Sequence, residues 1–151
     1  MEDAELILRF FAMRHIDNFS KGMEEFLDNY MMKSINFSEQ DIEILKNIFI
    51  ETIDLAYKIY QENLFKPYDP QSQSWKKQAY KAYYDAIMVG LSRHLEHKKL
   101  LVEQKSKILE GTKKLLSEDK RKLFSGSGRT KADIQKRIQL FDNMLSKIIN
   151  K

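Results

Sequence analysis

The sequence predicts an all-α chain, an irregular bundle of about six helices in one domain covering residues 1–151. Three observations carry this. Helix-favouring Lys, Leu, Glu, Ile, Gln and Ala dominate, whereas glycine occurs 5 times and proline twice, leaving few enforced breaks. Apolar residues recur at three- and four-residue steps along most of the chain. Hydrophobic residues make up 42% of the sequence, with both charge signs interspersed, which argues against disorder.

The elements follow in order. A first helix is expected over residues 3–16, where Leu6, Ile7, Phe10, Phe11 and Arg14 mark successive turns. Because an amphipathic helix begins almost at residue 1, we expect the chain to be the later part of a larger folded unit. The polar stretch 17–22 breaks it, and a second helix over 22–32 aligns Met23, Phe26, Leu27, Tyr30 and Met31. Ser38 has the side chain of an N-cap, with Glu39 and Asp41 in the first turn, where the helix dipole favours negative charge. The helix it opens carries Ile42, Leu45, Phe49, Thr52, Ala56, Ile59 and Tyr60 and should reach residue 63.

Residues 66–74 hold both prolines and read as a loop. Ser72 or Ser74 is expected to cap the next helix, which carries Trp75, Ala79, Tyr83, Ala86, Ile87, Gly90 and Leu91. With Tyr80, Tyr83 and Tyr84 making it bulky on more than one side, that helix should pack centrally. From Lys98 the apolar pairs Leu101-Val102, Ile108-Leu109 and Leu115-Leu116 fall seven apart, as in a long bundle helix. Gly111 weakens it, and a break there would raise the count to seven. Ser125-Gly126-Ser127-Gly128 reads as a turn, and Thr130 as the cap of a last helix with Ile134, Ile138, Phe141, Leu145 and Ile148 on one seam.

Composition narrows the function classes. Without cysteine there is no disulfide framework, thiolate zinc site or cysteine nucleophile. No apolar run approaches the roughly 20 residues that span a bilayer, so no membrane partner is expected and the chain reads as cytoplasmic. Net charge is +4, a mild bias.

Few constellations suggest chemistry. His94 and His97 stand three apart, but the zincin pattern needs a four-residue step and a third ligand, so no metal site is expected. Gly126-Ser127-Gly128-Arg129-Thr130 precedes a helix start without P-loop spacing and reads as a turn; no cofactor is expected. Asp85 lies in an apolar stretch, either as a buried acid with a raised pKa or paired with Lys81 one turn earlier or with a neighbouring helix end. The basic residues Lys113, Lys114, Lys120, Arg121, Lys122, Arg129 and Lys131, continued by Lys136 and Arg137, are the candidate nucleic-acid surface, although Glu110, Glu118, Asp119 and Asp133 interleave with them.

Several segments carry a resemblance. Residues 5–14 read ELILRFFAMR, residues 21–31 read KGMEEFLDNYM, and residues 84–92 read YDAIMVGLS; Ser127-Gly128-Arg129-Thr130 and residues 136–141, KRIQLF, close the series. In order and over nearly the whole chain, these are similar to the helical second half of the N-terminal domain of GmrSD-type restriction endonucleases, the ParB/sulfiredoxin-like domain of unknown function. The resemblance implies a place in a DNA-targeting, often anti-phage, system. The family's Asp-Gly-Gln-Gln-Arg-type motif and the His-Asn-His motif of its companion domain do not occur in this sequence. No catalytic residue is therefore carried over, and the chain is expected to be non-catalytic. Its expected partners are a ParB-like catalytic module, DNA, and a second copy of itself, with Leu6, Phe10, Phe11 and Met13 as candidate interface residues. The alternative is a free-standing helical module for protein–protein interaction.

Overall fold

A computed structural model describes residues 2–118, 123–124 and 130–150 of the chain. Seven α-helices run through these residues: α1 (Glu2–Met13), α2 (Met23–Ser34), α3 (Glu39–Tyr60), α4 (Lys81–Ser92), α5 (Lys98–Glu103), α6 (Lys105–Ser117) and α7 (Lys131–Ile149). Two are started by the side chains expected to cap them. Ser38 accepts a hydrogen bond from the Asp41 amide while the Asp41 carboxylate accepts one from the Ser38 amide, a complete capping box. Thr130 accepts from the Asp133 amide at the start of α7.

The helix expected to begin at Ser72 or Ser74 begins later. Tyr68–Asp69 (β1) and Ser74–Trp75 (β2) form a small antiparallel hairpin, and α4 starts only at Lys81. The cause lies in local hydrogen bonding. The Asp69 carboxylate accepts from the Gln71 amide and the Ser72 hydroxyl, and Ser72 and Ser74 share a hydrogen bond, so both serines are spent on the turn. Trp75 then packs edge-on against Tyr68 and Tyr60, with ring centroids 5.2 and 6.5 Å away.

Helix α4 is the centre of the bundle. All ten residues from Ala82 to Leu91 are buried, and α4 packs against α7, α3 and α1. On one side Tyr84, Ile87, Met88 and Leu91 join Phe10, Leu55, Ile59, Leu101, Ile108 and Phe141. Elsewhere on the same helix, Val89 joins a second cluster with Met13, Ile16, Phe26, Ile134 and Ile138.

The break expected near Gly111 occurs instead at Gln104, between α5 and α6. Gly111 lies within α6, where a Cβ would stand 2.8 Å from Met144 Cγ and Sδ of α7. It is a point of close approach rather than a hinge. Gly90 is the tighter case: a Cβ there would meet Phe141 Cδ1 at 2.5 Å, and Phe141 is itself enclosed in the core.

A helical Gly→Ala change ordinarily gains up to about 1 kcal/mol. At Gly90 overpacking should reverse the sign, with Gly90→Ala destabilising by about 1–3 kcal/mol. The shift of the denaturant midpoint relative to wild type measures it.

Where α1 meets α2, the His15 ring stacks on Tyr30. Burial, and then the charges of Arg14 and Lys33, hold the imidazole below its ordinary value of 6.5. Below 6.5 the unfolded chain takes up this proton more readily than the fold does, so stability should fall as pH drops through that window. His15→Gln should flatten that part of the stability–pH curve, as read by urea midpoints at successive pH values.

Candidate functional site

The position expected to be the most polar within an apolar stretch, Asp85, proves to be the anchor of the site. It lies in the second turn of α4 and its side chain has no solvent exposure. Lys81 does not pair with it. Lys81 reaches Glu5 of α1 at 3.1 Å instead, since a residue in the first turn of α4 points its long side chain to the surface.

The partner of Asp85 is Arg9 of α1, 76 residues away in sequence: Nε donates to Oδ1 at 2.7 Å and Nη2 to Oδ2 at 2.6 Å. This fork-to-fork geometry is the strongest form of arginine–carboxylate pairing. A second guanidinium, Arg137 of α7, comes within 3.8 Å of Oδ2 and donates to the Leu123 carbonyl at 2.6 Å. Burial pushes the Asp85 carboxyl up from the ordinary range, while the Arg9 hydrogen bonds and the Arg9 and Arg137 charges pull the other way. Beside it the Tyr84 hydroxyl, also raised by burial, donates to the Leu6 carbonyl at 2.6 Å. Three polar ties thus hold α1 on α4.

Above this cluster opens a cleft of about 970 Å³, where the starts of α2, α4 and α7 come together. Arg9 and Arg137 belong to its lining, as do Lys21, Lys81 and Lys131. Ser20, Tyr80 and Thr130 contribute hydroxyls, and Phe19, Met23, Ala79, Ala82 and Ile134 the apolar wall. Among the described residues no acidic side chain lines it. Carboxylates pair with the cations: Glu5 with Lys81, Glu25 at 4.0 Å from Lys21, and Asp85 with the arginines. The Lys131 ammonium donates to the Asp17 carbonyl at 2.7 Å. Gly22 and Tyr80, the N-caps of α2 and α4, offer those helices no side-chain acceptor, and the first turn of α4 holds no acid.

Of the candidate basic surface, the structure brings Lys131 and Arg137 to this cleft; Lys120, Arg121, Lys122 and Arg129 lie outside the described residues. Lys113 of α6 sits over the Tyr68 ring at 5.1 Å and near Glu110, and Lys114 is exposed. Arg137 is a correction. Its place in the sequence puts it on the candidate nucleic-acid surface, yet it is 3% exposed, because its position on α7 shares the seam of Ile134, Ile138 and Phe141. Arg9, Lys21 and Lys81 were missed as a group, and their signal was faint: a lysine just before or at the start of two helices.

The candidate interface residues are also displaced. Phe10 and Met13 are 1% and 0% exposed, and Leu6 and Phe11 are half-buried against the core, because α2, α3 and α4 all pack on α1. The exposed apolar side chains are instead Ile7 on α1, Met31 and Met32 on α2, Ile35, and Ile42, Ile44, Ile50 and Tyr57 on α3. His94 is hydrogen-bonded to Asp142 of α7 and His97 lies 3.6 Å from Glu96. Among the described residues no three potential metal ligands are grouped.

No protein-family model, curated protein or solved structure matches the chain.

Removing one partner of a buried ion pair strands the other, so Asp85→Ala, which leaves two guanidiniums facing an apolar gap, should cost about 3–5 kcal/mol. Arg9→Met with Asp85→Leu should cost less than the sum of the single changes. Equilibrium urea unfolding of Asp85→Ala and of the four proteins of the Arg9→Met, Asp85→Leu cycle measures both.

Proposed function

We propose that this chain is the non-catalytic helical lobe of a GmrSD-like restriction or anti-phage defence protein. It packs on a ParB-like catalytic module and contacts nucleic acid. The observation that supports this reading is where the resembling segments fall. Arg9 comes from the first, Asp85 from the segment at 84–92 and Arg137 from the closing one, and the three side chains share one buried cluster. Segments far apart in the chain thus resemble the family at positions that hold one another, as expected of a shared packing arrangement rather than of scattered helical likeness. The cationic cleft over that cluster supplies a surface for phosphate.

Co-expression with the strand-bearing half of a GmrSD-type protein tests the reading. A complex of fixed stoichiometry that restricts phage in cells, while the purified chain alone is inert, is the expected result. A purified chain that by itself cleaves nucleic acid or hydrolyses nucleoside triphosphate, contamination excluded, would overturn it.

A second reading, a free-standing interaction module, is favoured by one feature. Ile7, Phe11, Met31, Phe37, Ile42 and Phe49 line an apolar groove of about 520 Å³ between α1, α2 and α3. Concentration-dependent dimerisation in sedimentation, abolished by Ile42→Lys, together with no complex with the ParB-like half, favours this second reading.

A further inference from the structure

We propose that the cleft at the starts of α2, α4 and α7 is a nucleotide site. It would take the phosphate of a nucleotide, free or within a single strand, on Lys21, Lys81 and Lys131. The inference deepens the nucleic-acid part of the reading above and is independent of the family resemblance.

Charged side chains lining the cleft are all basic among the described residues, and they arrive from four separate parts of the chain: α1, the segment before α2, α4 and α7. A helical surface with charges distributed at random would mix signs there, as the rest of this surface does. The carboxylates paired with these cations, Glu5, Glu25 and Asp85, are not part of the lining, so they neutralise charge without occupying the cleft. The Lys21 and Lys81 side chains are 76% and 59% exposed and can swing onto a ligand.

Size and wall chemistry then narrow the class. A volume of about 970 Å³ is at the upper end of small-molecule sites and far exceeds a simple inorganic anion. Over a floor set by the core residues Phe19 and Ile134, the partly buried Met23 and the half-buried Tyr80 ring at the edge would lie against a sugar and base while the lysines hold the phosphate. Backbone amides at the start of α4, whose first turn holds no acid, add partial positive charge to the same rim.

Fluorescence polarisation of the full chain with a labelled oligothymidylate, competed by thymidine monophosphate, tests the proposal at low and moderate salt. Binding of the strand is expected. Competition by the mononucleotide identifies a free nucleotide as sufficient, and its failure to compete identifies the strand as the occupant. The triple variant Lys21→Gln, Lys81→Gln, Lys131→Gln, checked for wild-type circular dichroism, should bind about tenfold or more weakly. Its salt dependence should be shallower by about two in the log–log slope. The control Lys113→Gln, Lys114→Gln should bind as wild type. Undiminished binding by the triple variant overturns the cleft proposal while leaving nucleic-acid contact standing. No binding of either ligand by the wild-type chain at low salt overturns both.

Discussion

The bidentate contact between Arg9 and Asp85 is the constraint around which the remaining structure is arranged. A carboxylate with no solvent exposure in the middle of the central helix is costly unless it is paired, and the pair must be complete. That requirement places α1 on α4 in a single register, because sliding by one turn would strand the Arg9 guanidinium and leave Asp85 only the more distant Arg137. The Tyr84–Leu6 and Lys81–Glu5 contacts fall into line beside it, toward the N-termini of both helices. With α1 held, Phe10 and Met13 enter the core from the same helix and the two hydrophobic clusters can close around α4. The hydrophobic burial supplies most of the favourable free energy; the ion pair specifies which packing receives it.

Periodicity and caps were the most legible part of the fold. Ser38 with Asp41, and Thr130, announce helix starts because their chemistry is local: a short side chain and an amide three residues on. The central place of α4 was also readable, since a helix apolar on every side has nowhere else to go. The hairpin was not. Ser72 and Ser74 have the side chains of caps, and only the competition from Asp69, settled by hydrogen bonds within the turn, diverts them. Gly111 misled for a related reason. In sequence a glycine registers as lost helix propensity, whereas its use here is to admit Met144, a contact made by a residue 33 positions away.

The site was less legible than the fold, and the physical cause is the same. A run of basic residues along the chain suggests a patch, but α6 and α7 point their lysines in different directions and turn Arg137 inward. The cleft draws instead on single lysines from separate segments, whose nearness depends on how α2, α4 and α7 converge. Likewise the apolar residues of α1 were legible as a stripe, but a stripe does not state what covers it. Three neighbouring helices cover it here, and the uncovered apolar surface passes to α2 and α3.

The separation of 76 residues between Arg9 and Asp85 also bears on how the molecule is made. At translation speeds of about 5–20 residues per second, α1 leaves the ribosome roughly 4–15 seconds before its carboxylate partner. During that interval Phe10 and Met13 have only α2 and α3 to shelter against, so the core face of α1 stays incompletely covered until α4 emerges. The order of the elements along the chain, and no single weak contact, sets how long that face waits for its partner.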